Sequence, residues 1–292
     1  MSDIAHIELV SDDDSFVVSS PDGGDYEGIY LGTDPSGMYS TSFKTRVVSG
    51  SFEVGGRSAG HTIPVRELTL PFEIIDTGEG IDANVSRFLK MWQLGRDIQW
   101  RYTSELSGTR SLWVQLAEQV EVSTKFDRNV SEYVHATVSA IALQPMYEGD
   151  EESVSWSNPS AGSHTGSLII SNPTDQKLFL EWTVDPVTAV AFPDFSFGNE
   201  DYYDRPADAD AERMIVSPVL TKKLSIMADP MFDTYVSADL SNAAGLFNGV
   251  EPLYWVPPYT PATEVPVAIN GPSGATITCT MRRLWSAEAG LE

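Results

Sequence analysis

The sequence predicts a mainly β protein of two domains that carries one substantial α-helix. Three observations lead there. Apolar residues alternate with period two along most of the chain. Turn signals recur between the alternating runs, supplied by 22 glycines and 18 prolines. Only residues 82–95 repeat an apolar stripe at helical spacing.

Taken in order, residues 4–10 alternate weakly and predict a first strand. Asp12, Asp13 and Asp14 separate it from a short strand at Phe16–Val18, and a Gly/Asp/Pro-rich loop covers 19–37. Ser51–Val54 leads into Gly55-Gly56. Residues 65–75 form the clearest strand of the first half; Pro71 within it lacks an N–H and is expected at an edge or a bulge. In 82–95, Val85, Phe88, Leu89 and Trp92 follow i, i+3, i+4, i+7, with Asp82 suited to the N-cap and Gly95 to the C′ position. Phe88, Leu89 and Trp92 are therefore expected to be buried against a sheet. Ile98–Tyr102 and Leu112–Leu116 read as a hairpin around Ser107-Gly108-Thr109, with Trp100 and Trp113 as core anchors, and 130–144 holds a long strand.

Pro145, Gly149–Glu152 and Asn158–Ser163 look linker-like, which predicts a first domain over 1–150, a linker over 151–165 and a second domain over 166–292. Beyond the boundary, eight short strands recur between turn signals, from Ser167–Ile170 to Ala275–Arg282. That spacing is the pattern of a β-sandwich or jelly roll, with Trp182 in its core.

The net charge is −24, shared evenly: eleven basic against twenty-three acidic residues up to 150, seven against nineteen after it. Residues 1–43 contain no Lys or Arg, which is not the pattern of a secretory signal. No basic patch of the density needed for duplex DNA is present. No apolar run approaches the roughly 18 residues of a membrane span. Cys279 is the only cysteine, so neither an intrachain disulfide nor a Cys-based zinc site is expected, and no cofactor is predicted.

The motifs that resemble catalysis fail on context. Gly56-Arg57-Ser58-Ala59-Gly60, followed by His61, matches the G-x-S-x-G of a nucleophile elbow, but strand-like segments flank it where a strand and then a helix are required. It reads as a β-hairpin loop. His6, His61, His135 and His164 do not fall at metal-ligand spacing. Asp208-Ala-Asp210-Ala-Glu212 lacks the glycine and the distal glutamate that wrap Ca²⁺, and reads as a solvated acidic loop. Paired carboxylates for glycoside chemistry are a spatial matter that sequence leaves open. Trp182, Phe192, Phe195, Phe197, Tyr202 and Tyr203 read as the inner face of a sandwich, with a sugar groove as the alternative.

One family does match in order along the chain. Leu68-Thr-Leu-Pro-Phe-Glu-Ile, Arg87-Phe-Leu-Lys-Met-Trp, Trp100-Arg-Tyr, Gly108-Thr-Arg-Ser-Leu and Ala140-Ile-Ala-Leu-Gln-Pro resemble the hub domain of the distal tail proteins of long-tailed phages, especially those of actinobacteria. Ser171-Asn-Pro-Thr-Asp, Trp182, Pro193-Asp-Phe, Asp233-Thr, Tyr254–Pro261 and Met281-Arg-Arg-Leu-Trp-Ser are similar to that family's appended, often galectin-like, β-sandwich. The resemblance implies a tail-tube-like β-barrel or sandwich hub that forms a ring, plus a peripheral sandwich. It implies a hexamer, with a trimer as runner-up, at the virion tail tip after assembly in the host cytoplasm. The implied partners are the tail tube protein, the tail-associated hub protein and the tape-measure protein, with no membrane. Phage DNA would pass through the channel without specific binding, and no catalysis is implied. Acidic residues repel phosphates, so the net charge suits a conduit. Asp12, Asp13, Asp14, Asp22 and Asp25 are expected either to face the channel or to contact the basic residues of a neighbouring subunit, all of which lie between Lys44 and Arg128 in the first domain. The alternative function is a carbohydrate-binding module or glycosidase-like host-recognition protein using the second sandwich.

Overall fold

The computed structural model describes residues 5–21, 27–198 and 212–292. The chain divides into two compact units: Met1–Gly149 with Trp285–Leu291, and Asp150–Leu284.

Unit 1 is built from β1 (Ala5–Val10), β2 (Ser15–Ser19), β3 (Ile29–Leu31), β4 (Lys44–Val48), β5 (Arg57–Thr62), β6 (Arg66–Ile75), α1 (Ile81–Met91), β7 (Ile98–Ser104), β8 (Gly108–Leu116), β9 (Glu121–Ser123), the one-turn helix α2 (Arg128–Ser131), β10 (Tyr133–Ala142) and β11 (Tyr147–Glu148). Its main sheet runs β2-β1-β7-β8-β10-β6-β3, with β9 paired to β10 and β11 to β8. The terminal strands β2 and β3 touch, so the sheet nearly closes on itself. Closure hides sheet edges that would otherwise template aggregation. Alternation builds the interior: Val134, Ala136, Val138, Ala140 and Ala142 of β10 point inward, opposite Leu68, Leu70, Phe72 and Ile74 of β6.

Pro71 sits between two partners and not at an edge. Its carbonyl accepts the Gly32 N–H at 2.8 Å, so its missing N–H faces the same side, where β3 has already ended. Pairing resumes where Ser36 and Thr69 exchange both backbone bonds. Gly37 follows with φ +84°, and a Cβ there would lie 2.0 Å from the Glu67 carbonyl oxygen.

Helix α1 starts one residue before the expected position and ends at Met91, four before Gly95. Gly80 is the N-cap. Asp82 lies in the first turn, where its charge suits the helix dipole, and pairs with Arg128 at 2.9 Å. The buried stripe is Ile81, Asn84, Val85, Phe88 and Met91, with Trp92 buried just beyond the helix. Leu89 is 40% exposed, because that stripe turns it toward solvent. Asn84 belongs to the stripe because its amide donates to the Ile75 carbonyl (2.7 Å) and the Thr77 hydroxyl (3.1 Å). Phe88 packs on Phe72 and Trp92, with ring centroids 5.0 and 6.5 Å away. Trp100 is fully buried, whereas Trp113 is 40% exposed. Leu112 and Val114 take the inward positions of β8, so Trp113 points out and its indole N–H donates to Glu148 at 3.0 Å.

Unit 2 contains β12 (Glu152–Ser157), β13 (Gly162–Asn172), β14 (Leu180–Val184), β15 (Ala189–Pro193), β16 (Met214–Val216), β17 (Leu224–Met227), β18 (Tyr235–Ser237), β19 (Thr260–Gly271) and β20 (Thr276–Met281), before β21 (Leu284–Trp285). A five-stranded sheet, β12-β20-β14-β17-β18, and a four-stranded sheet, β13-β19-β15-β16, share one core. Trp182 and Phe192 meet at 5.5 Å between them, and Cys279 is buried there. This is a β-sandwich.

The expected linker at 151–165 is instead strand. Ser153, Ser155 and Ser157 are the solvent face of β12, their hydroxyls bonded across to Thr280, Thr278 and Thr276. The turn signal at 158–163 carries the chain from one sheet to the other. Asn158, 1% exposed, organises that corner by donating to the carbonyls of Gly162, Gly271 and Pro272. Trp156 covers Gly166, where a Cβ would fall 2.0 Å from the indole nitrogen.

Candidate assembly surface

The N-terminal acids are engaged within their own subunit. Asp14 makes a two-pronged contact with Arg87 of α1, both bonds 2.6 Å, and Glu27 takes a third Arg87 N–H at 2.7 Å. The guanidinium also stacks over Phe16 at 4.4 Å. Those bonds hold the Asp14 carboxyl below the usual carboxylate range and raise Arg87. Asp13 pairs with Arg96 at 2.6 Å and Glu8 with Arg101 at 3.1 Å. The turn between β1 and β2 is thus fastened to α1 and to the loop that follows it, and β1 itself to β7. Asp12 is exposed and has no ion-pair partner among the described residues; Asp22 and Asp25 lie outside those residues. Asp13 and Asp14, expected at the channel or against a neighbour's basic residues, are thus paired within the chain. Arginines 73 and 83 residues away in the same chain already neutralise them.

Two buried arginines hold the segment 285–291 inside unit 1. Arg110, 1% exposed, stacks over Trp285 at 3.8 Å and donates to the carbonyls of Ala287 (3.0 Å) and Gly290 (2.8 Å). Arg66, 3% exposed, donates to the carbonyls of Met38 (3.2 Å) and Ser286 (2.7 Å) and to Thr41. Tyr147 lies below Arg66 and donates to the Met38 carbonyl at 2.9 Å; burial pushes its phenol well up. Neither arginine's role is visible in local sequence, because both partners are backbone carbonyls about 180 and 220 residues away.

Strands β4 and β5 form a two-stranded arm, and every residue of both is exposed. Phe43 is 71% exposed, Val47 65%, and Phe52 and Val54 at the tip are fully exposed. Its cations are Lys44, Arg46 and Arg57, and its one acid, Glu53, bonds Arg57 at 2.8 Å. The Gly56–Gly60 motif and His61 lie on this arm, with a strand after the serine where an elbow needs a helix. The sequence signals that mark the arm are a local excess of cations in an acidic chain and the Gly55-Gly56 pair beside Phe52 and Val54.

Among the described residues, no three His, Cys, Asp or Glu side chains are grouped to hold a metal ion. His135 sits 3.2 Å from Glu73, and His164 is held by Asn158 (2.8 Å) and Ser160 (3.1 Å). Burial raises the carboxyls of Asp194 and Glu181. Each is held by its own arginine, Arg213 and Arg282, and Asp194 also accepts the backbone N–H groups of Leu253 and Tyr254. Residues Tyr202, Tyr203, Asp208 and Asp210 lie outside the described residues.

Comparison with known proteins follows the same line. No family model matches the sequence. The chain is 25% identical, over 324 aligned residues, to the minor tail protein Gp27 of Mycobacterium phage D29 and to that of Mycobacterium phage L5; 91% of this chain and 93% of each relative are covered. Among solved structures it matches the SPP1 Dit (gp 19.1) protein, described as a paradigm of the hub adsorption apparatus in phages infecting Gram-positive hosts. That match has a TM-score of 0.61 at 9% identity and covers 95% of this chain and 98% of Dit. A chain of the phage P2 baseplate in its activated conformation with Ca matches with a TM-score of 0.50 at 11% identity, covering 94% and 97%. The chain is thus similar along nearly its whole length to two mycobacteriophage minor tail proteins, and its fold is that of the SPP1 Dit protein.

Proposed function

We propose that six copies of the chain close into a ring that joins the tail tube to the tail-tip hub and surrounds the channel taken by phage DNA. The observation that carries this reading is the match to Dit along both units of the chain. Unit 1 is the ring-forming hub and unit 2 the peripheral sandwich. The ring meets the tail tube protein above, the tail-associated hub protein below, and the tape-measure protein within the channel. A net charge of −24 keeps phosphates from sticking to the wall. Asp12, exposed and without an ion-pair partner among the described residues, is left free to face that channel.

Mass photometry of the purified protein, together with cryo-electron microscopy of virions, tests the reading. The expected result is closed rings and a density for the chain between tube and tip, sixfold in symmetry. A threefold ring would correct the count. Monomers at every concentration, with the protein absent from purified particles, would overturn the proposal.

A further inference from the structure

We propose that the β4–β5 arm is the element by which one subunit grips a second copy of this chain, its apolar tip seated on the copy and its cations against the copy's acidic surface. The inference rests on the ring reading above and names the part of unit 1 that closes the ring.

The arm is unfinished as it stands. Its two strands pair only with each other, through Lys44↔Thr62 to Val48↔Arg57, and no third strand joins them among the described residues. A lone hairpin is marginal in water, and both of its outer edges remain open to pairing. Phe43, Val47, Val48, Phe52 and Val54 all expose more than 60% of their surface. Five large apolar side chains on one short arm form a patch of the kind that marks a contact surface.

Charge selects the occupant. The arm carries three cations and one carboxylate in a chain of net charge −24. The other arginines of unit 1 are committed internally: Arg66 and Arg110 to carbonyls, Arg87, Arg96, Arg101 and Arg128 to carboxylates. Lys44 and Arg46 have no acidic partner among the described residues, and Arg57, its side chain 83% exposed, meets only the arm's own Glu53. The complement is an acidic protein surface, which every further copy of the chain supplies in equal number. DNA fits less well, because phosphates would satisfy the cations and leave Phe52 and Val54 in water.

The test uses the full chain. Phe52→Asp with Val54→Asp, and separately Lys44→Glu with Arg46→Glu, alter side chains outside both cores, so the thermal transition should be unchanged. Mass photometry across a dilution series should show half-assembly shifted at least tenfold to higher concentration in each pair. A photo-crosslinking phenylalanine analogue at position 52 should capture a second copy, and the charge contribution should weaken as salt shortens the Debye length below about 8 Å. Variants that form rings as readily as the parent would overturn the arm's role and leave the ring intact. Crosslinks only to another tail protein or to added duplex DNA would also overturn it. A parent chain that neither assembles nor crosslinks to itself would remove the ring reading and the arm with it.

Discussion

Phe88→Ala and Leu89→Ala, made in parallel, test the register of α1 with two neighbouring residues. Phe88 is fully buried, its ring 5.0 Å from Phe72 and 6.5 Å from Trp92. Truncating such a side chain removes its transfer free energy and leaves a cavity, a loss of about 3–5 kcal/mol. Leu89 is 40% exposed, so its truncation removes only part of the burial worth of a leucine, about 1–2 kcal/mol. Urea unfolding of the full chain, followed by tryptophan fluorescence, reads both. The transition of unit 1 should move far more for Phe88→Ala than for Leu89→Ala. The transition of unit 2, whose core is built around Trp182, should stay in place for both. Phe88→Asp places an unpaired carboxylate in the same site and should unfold unit 1 outright. Equal losses at 88 and 89, or the larger loss at 89, would show that the buried stripe is not Ile81, Val85, Phe88 and Met91.

Three further outcomes follow from particular contacts. Arg110→Ala strips the donors from the Ala287 and Gly290 carbonyls, which costs at least about 2 kcal/mol; limited proteolysis should then release peptides beyond Trp285, and unchanged resistance would refute the clamp. Asp14 is held below its unfolded pKa by Arg87, so its contribution is present above about pH 4 and fades as pH falls through the lowered folded value. Arg87→Gln should flatten that acid limb by a small amount, since both side chains are about one-third exposed, and an unaltered acid titration of stability would count against it. Gly166→Val drives a side chain into the Trp156 indole, so Trp156 fluorescence should shift to the red and unit 2 should lose stability; a parent-like spectrum would refute the contact.

The fold was legible where burial follows a local period. Alternation along β6 and β10 and the stripe in α1 are patterns of a few residues, and they mark real elements. Errors came where a pattern has two readings. Leu112-Trp113-Val114 alternates either way, and aromatic size favoured the wrong face for Trp113. Ser-Val-Ser-Trp-Ser looks like a linker by composition, yet its serines are the outward half of β12. The candidate surface was less legible still. Asp13 and Asp14 are cancelled by Arg96 and Arg87, and Arg110 binds carbonyls, so no side-chain pairing rule finds these contacts from spacing. The arm was hidden for the opposite reason: its valines and phenylalanines look like core until the structure shows that nothing covers them.

The clamp on Trp285–Leu291 also sets an order of events during synthesis. Unit 1 needs residues from both sides of unit 2, so its last piece emerges only after residues 150–284 have been translated. At roughly 5–20 residues per second, that delay is on the order of ten seconds. Throughout it, Arg110 lacks the Ala287 and Gly290 carbonyls and Arg66 lacks that of Ser286, and unit 2 has all its strands by the time they emerge. The N-terminal unit, usually first to fold, here completes last. A ribosome that stalls within residues 150–284 therefore releases a chain whose first unit cannot close, and only molecules read through the clamp offer an assembling tail a finished hub.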